Sequence, residues 1–135
     1  MLEEARSDKA KERADWLSNQ IVGAAIEVHR ALGPGLLESV YEERPCHELK
    51  VREIDFVRQF PLPVRYKGIQ LDCGYRLDLI VGGLVIVELK SVERVEPIHE
   101  AQLLTYLRLT DLWLGLLINF NSEVLRNGVK RRVLG

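Results

Sequence analysis

What is scarce in this chain narrows the field first. It has only two cysteines, Cys46 and Cys73. They lack the spacing of a zinc site and are too few to staple a small secreted scaffold, so both are read as free thiols. No uncharged apolar run approaches the ~18 residues that a membrane helix needs. Residues Met1 to Ala14 are charged where an export leader would be apolar. A soluble, cytoplasmic protein without membrane contact is therefore expected. There is also no excess of charge of one sign. The 19 Lys and Arg residues face 20 Asp and Glu, so no global positive field draws the domain onto a polyanion. Local basic surface is left at Lys130, Arg131 and Arg132, and at Arg65 with Lys67. Each cluster also reads as the solvated edge of a sheet.

What is present is a large apolar fraction, 47% of 135 residues, enough for the core of one domain. Residues 1–17 are mostly charged or alanine and are read as a helical or disordered extension, with the domain proper at 18–135. Helical spacing runs through Leu17, Ile21, Ala24, Ala25, Val28 and Leu32, with Ser18 as the expected N-cap and Gly33-Pro34-Gly35 as the stop. A second helix follows from about Glu38 to Leu49. Pro45 inside it removes the amide that would bond the Tyr41 carbonyl, which predicts a kink or an early end.

Strand signals come next. Phe60, Leu62, Val64 and Tyr66 alternate with Pro61, Pro63, Arg65 and Lys67, which suits an edge strand. A strand from about Leu71 to Val81 then reaches Gly82-Gly83, a two-residue hairpin signal. Beyond it, Leu84 to Lys90 is apolar on both faces until it closes on Glu88 and Lys90, as a covered central strand should be. A helix over 98–109, a buried strand over 112–120 and a short strand over 129–134 complete the order. A strand, a helix and a second buried strand imply a parallel crossover. The fold class is mixed α/β, a central sheet flanked by helices.

Residues two apart on a strand share a face, so Arg76 pairs with Asp78 and Glu88 with Lys90. Charged groups at the end of a central strand are costly to desolvate unless they pair or hold a cation. Acids on two adjoining strands offer oxygen ligands to a hard ion such as Mg²⁺ or Mn²⁺. Lys90 beside them could orient a water or neutralise a phosphate. Taken alone, the same residues also read as two salt bridges at a sheet edge. On the next helix, His99, Gln102 and Tyr106 form one stripe, and Gln102 and Tyr106 could hydrogen-bond a phosphate. Glu38, in the first turn of its helix, offers a third carboxylate or simply complements the helix dipole. His29 is read as a surface or capping residue.

Several segments resemble a known family. Gly35-Leu36-Leu37-Glu38-Ser39-Val40-Tyr41 matches the signature of the GxxExxY proteins, which are placed in the PD-(D/E)XK nuclease superfamily. Family blocks are also resembled, in the same order, by residues 24–30, 71–78, 87–90, 98–107 and 115–120. The resemblance implies a restriction-endonuclease-like PD-(D/E)XK core. It makes Asp78 the metal-binding aspartate, Glu88 the second acidic ligand, Lys90 the catalytic lysine and Glu38 the extra acid of the first core helix. Gln102 and Tyr106 are similar to a pair found in several DNA-processing branches. The departure is Arg44-Pro45-Cys46, where the family continues an uninterrupted helix.

Two functions follow as expectations. One is a Mg²⁺- or Mn²⁺-dependent nuclease on nucleic acid, DNA rather than RNA. In it Asp78, Glu88, the Leu89 carbonyl and Glu38 hold metal, Lys90 orients the attacking water, and Gln102, Tyr106 and Arg76 contact substrate. The other is a noncatalytic module that keeps the fold and binds nucleic acid or protein. Near-neutral charge and small size favour the second, and retention of Asp78, Glu88 and Lys90 favours the first. A homodimer would enlarge the contact surface and place two sites on two strands.

Overall fold

A computed structural model of the chain describes residues 6–71 and 74–135. Helix α1 spans Asp8–Leu32, and its N-cap is Ser7 rather than Ser18: Ser7 Oγ accepts from the Ala10 amide at 3.1 Å. Ser18 lies buried inside the helix. Alanine, lysine, arginine and glutamate in the first turns are good helix formers, which carries the helix past the start of its apolar stripe. That stripe, from Ala14 and Leu17 to Val28, is buried, and the helix stops at Gly33, whose φ is 72°. His29 Nε2 donates to the Ser122 carbonyl at 2.7 Å, a tie between helix and loop.

Helix α2 spans Glu38–Val51 and runs through Pro45 without ending there. The buried face made by Tyr41, Pro45, Cys46 and Leu49 outweighs the lost hydrogen bond. Burial also pushes the Cys46 thiol up to about 11, leaving it unreactive near neutral pH. Cys73 lies outside the described residues.

Five strands form the main sheet in the order β1 (Phe56–Pro61), β4 (Arg76–Val81), β5 (Val85–Lys90), β6 (Leu114–Asn119) and β7 (Val129–Val133). The β5–β6 pair is parallel, connected through helix α3 (Pro97–Thr110), and the other pairs are antiparallel. The predicted edge strand over 60–67 is instead divided. Its first residues belong to β1, and the rest forms a separate ribbon of β2 (Val64–Tyr66) and β3 (Ile69–Leu71). Pro61 and Pro63 lack the amides that would carry one ladder through both halves. The strand expected from Leu71 to Val81 is likewise two elements, with residues 72 and 73 outside the described set. At the hairpin, Gly82 and Gly83 have φ 59° and 69°, and the Leu84 amide closes the turn on the Val81 carbonyl. Val81 then faces Val85, so the loop holds one residue more than the glycine pair.

Two apolar layers enclose the sheet. Leu79, Val81, Val85, Val87, Leu89, Leu114, Leu116 and Ile118 pack against α1 and α2. Leu77, Ile80, Ile86 and Leu117 pack against Leu103 and Leu107 of α3. Gly115 admits α3 closely, since a Cβ there would lie 2.7 Å from Leu103 Cδ1. The basic tail is tied down: Arg131 pairs with Asp15 and Arg132 with Glu100. Among the described residues, no helix is long and apolar enough to cross a membrane.

Candidate active site

The acidic pair is made by a defect in the sheet. Leu77 packs on the α3 side and Leu79 on the α1–α2 side although they are two residues apart, so alternation slips at Asp78. Asp78 is off the ladder in both directions. Its β1 neighbour Gln59 sits at φ 50° and is skipped by the register, and the β4–β5 pairing ends at Leu79 and Val87. The acids themselves fill the opening. The Asp78 amide donates to Glu88 Oε2 at 2.9 Å, and the Leu89 amide donates to Asp78 Oδ2 at 2.8 Å. Each carboxylate thus replaces a missing backbone acceptor, and both lie between the two strands.

Glu88 is only 7% exposed. Burial first, then the charge of Asp78, pushes its carboxyl up to about 8. Asp78 is raised as well, by burial against the opposing Leu89 hydrogen bond. Lys90 acts on both acids electrostatically, but among the described residues it makes no ion pair with either, and Arg76 makes none with Asp78. The reading of these residues as edge salt bridges is therefore not what the structure holds.

Glu38 reaches the same place from α2. It lines a polar pocket of about 210 Å³ with Ser39, Glu42, Gln59, Asp78 and Leu89. Glu42 and Gln59 were not singled out in the sequence. Glu42 follows Glu38 by one helical turn, a spacing that puts both on one face, and it is engaged by Arg58 at 2.9 Å and by Gln59. On the other side, Tyr106 and Gln102 share a groove with Tyr75. The Tyr106 hydroxyl is shifted upward by burial and then by Glu88, Tyr75 and Asp78, so it lies within electrostatic reach of the pair. His99 is engaged at the helix start: its Nδ1 accepts from the Glu96 amide and completes a capping box on α3. Arg76 is exposed where β4 begins.

Tyr41, three residues after Glu38, has a structural part. It is fully buried, stacks on Phe120 with centroids 4.5 Å apart, donates to the Gly33 carbonyl at 2.6 Å and accepts from the Leu36 amide at 3.1 Å. It thereby fixes the loop that delivers Glu38. Asn119 does the same for the segment after Lys90, accepting from the Val92 and Asn121 amides and donating to the Val92 carbonyl. Tyr41→Phe is expected to lower unfolding stability by about 1–2 kcal/mol. The check is a lower urea midpoint at unchanged m-value.

The donor set suits a hard divalent ion: oxygen ligands only, two of them on carboxylates whose mutual repulsion a cation would relieve. Among the described residues, no three His, Cys, Asp or Glu side chains gather into a cage. Backbone carbonyl and water would have to complete the shell, as is usual for Mg²⁺.

A five-stranded mixed sheet with helices on both faces, an Asp on one hairpin strand and Glu-x-Lys on the next define a PD-(D/E)XK-type domain. A family model described as the PD-(D/E)XK nuclease superfamily matches residues 15–132, and the chain belongs to that superfamily. No curated protein matches the sequence, and no solved structure matches it either.

Proposed function

We propose that the protein is a Mg²⁺- or Mn²⁺-dependent nuclease of the GxxExxY kind, hydrolysing phosphodiester bonds with DNA favoured over RNA. The observation that carries this reading is the pair of carboxylates in the opening between β4 and β5, with Lys90 beside them and bound to neither. Asp78 and Glu88 would hold the ion with the Leu89 carbonyl, and Glu38 would take a second ion or a bridging water. When bound, the ion supplies Lewis-acid stabilisation of charge on the phosphoryl oxygens. Lys90 orients the attacking water and balances the charge that grows on phosphorus-bound oxygen. Gln102, Tyr106 and Arg76 position the substrate strand. The preference for DNA rests on the likeness of Gln102 and Tyr106 to the pair in DNA-processing branches.

The test is calorimetric titration of Mn²⁺ into the parent and into Asp78→Asn, followed by incubation of each with DNA and RNA. Binding and strand cleavage by the parent, with both lost in the variant, are expected. Absence of Mn²⁺ binding with and without nucleic acid would sink the catalytic reading and leave a binding module.

A further inference from the structure

The proposed chemistry uses only Gln102 and Tyr106 of a wider surface on the α3 side. A groove of about 350 Å³ runs between α3 and the β2–β3 ribbon, lined by Leu62, Val64, Tyr75, Ile98, Tyr106 and Leu109, with Gln102 among them. It continues past Tyr75 into a smaller hollow shared with Pro61, Pro63 and Gln70. The Tyr75 carbonyl accepts from the Leu62 amide at 2.9 Å, which fixes its backbone, while half of its surface stays exposed. On the ribbon, Tyr66 is 62% exposed although Lys67 Nζ lies 5.3 Å from its ring centroid. Arg65 reaches across to Gln70. Lys67, at φ 50°, and Gly68, at φ 79°, form the tight turn that projects this arm.

The chemistry of this surface selects its occupant. The β2–β3 arm, residues 64–71, contains Arg65 and Lys67 and no acidic side chain, so it complements a polyanion in a chain that is otherwise near neutral. The groove wall is apolar and aromatic, which suits the faces of bases rather than phosphates. Bases in an intact duplex are stacked on each other and cannot enter such a wall. Tyr106 lines the groove and lies within electrostatic reach of Glu88 and Asp78, so one strand could span both.

We propose that the groove and the ribbon hold unpaired nucleotides next to the phosphate at the Asp78–Glu88 pair. Tyr75 and Tyr66 serve as stacking faces, and Arg65 and Lys67 contact the backbone. The substrate class is then single-stranded or frayed nucleic acid. This deepens the nuclease reading and rests on it.

The experiment is fluorescence anisotropy in EDTA, where neither metal nor cleavage enters, using labelled oligothymidylate, oligouridylate and a blunt DNA duplex. The expected result is that both single strands bind more tightly than the duplex. Tyr75→Ala and Tyr66→Ala each weaken single-strand binding about tenfold, while Tyr75→Phe, which keeps the ring, binds as the parent does. Replacing both Arg65 and Lys67 by alanine lowers the slope of log affinity against log salt by about 0.7 per lost contact. All four positions are exposed, and circular dichroism with thermal melting checks that the variants fold. Equal or tighter duplex binding, or tyrosine variants that bind like the parent, would overturn the proposal. So would a parent that ignores every oligonucleotide but self-associates through Tyr75 and Ile98. Metal-dependent cleavage of duplex and single strand alike, without any effect of the tyrosines, would leave the nuclease standing and remove only this assignment.

Discussion

Lys90→Ala is expected to lower Mn²⁺-dependent cleavage by about 10²–10³-fold while leaving Mn²⁺ binding and the melting temperature close to those of the parent. The separation follows from geometry. Lys90 closes β5 without an ion pair among the described residues, so its removal breaks no ion pair there. Nor is it among the proposed metal ligands, so its loss takes no donor from the ion. What disappears is the positive charge beside the place where negative charge develops, an effect felt in the rate and not in binding. Asp78→Asn should behave differently and lose metal binding and cleavage together. It should still fold, because an asparagine Oδ1 can accept the Leu89 amide as Asp78 Oδ2 does. The double variant should cut no more slowly than Asp78→Asn alone, since the two groups act on one step. Single-turnover rates at saturating Mn²⁺ decide the matter. Parent-like cleavage by Lys90→Ala would remove the lysine from the chemistry.

Much of this arrangement was legible in the residues because the signals are periodic. The two-faced apolar run before Glu88 and Lys90 reads as a covered central strand, and Val85 to Leu89 are indeed buried in it. The apolar run beyond α3 reads as its parallel neighbour, which β6 is. What periodicity does not show is its own interruption. The slip at Asp78 depends on Gln59 adopting a positive φ on a neighbouring strand nineteen positions earlier in the chain, and nothing local in Arg76-Leu77-Asp78-Leu79 announces it. The early end offered at Pro45 fails for the opposite reason. Its local cost is plain in the sequence, but the tertiary packing of Tyr41, Cys46 and Leu49 that outweighs it is not. Tyr41 shows a third limit. Its spacing from Glu38 places it near the site, but only the three-dimensional course of the Gly33–Leu36 loop makes it a structural pin.

The acidic pair should also make the metal-free protein lose stability as pH rises. The folded Glu88 carboxyl titrates at about 8, against 4.5 for an ordinary glutamate, because burial and then Asp78 disfavour its charge. The native state therefore holds a proton that the unfolded chain gives up. That contribution is complete below the unfolded value and is lost as pH climbs through the folded one. Asp78, also raised, acts with the same sign. In EDTA the parent should melt at a lower temperature near pH 9 than near pH 5, after subtraction of the same difference for Glu88→Gln, which cannot ionise. The Gln variant can still accept the Asp78 amide through Oε1, so at the alkaline end it should melt several degrees above the parent, with the gap closing in acid. Mn²⁺ should invert the order. At a hundredfold excess over its dissociation constant it adds about 3 kcal/mol to the parent, and less to a variant with one ligand charge removed. Melting curves across pH, with and without Mn²⁺, read both effects. A parent whose stability relative to Glu88→Gln stays the same from pH 5 to pH 9 in EDTA would mean that Glu88 ionises at its ordinary pKa. The opening between β4 and β5 would then be far better solvated than its burial implies.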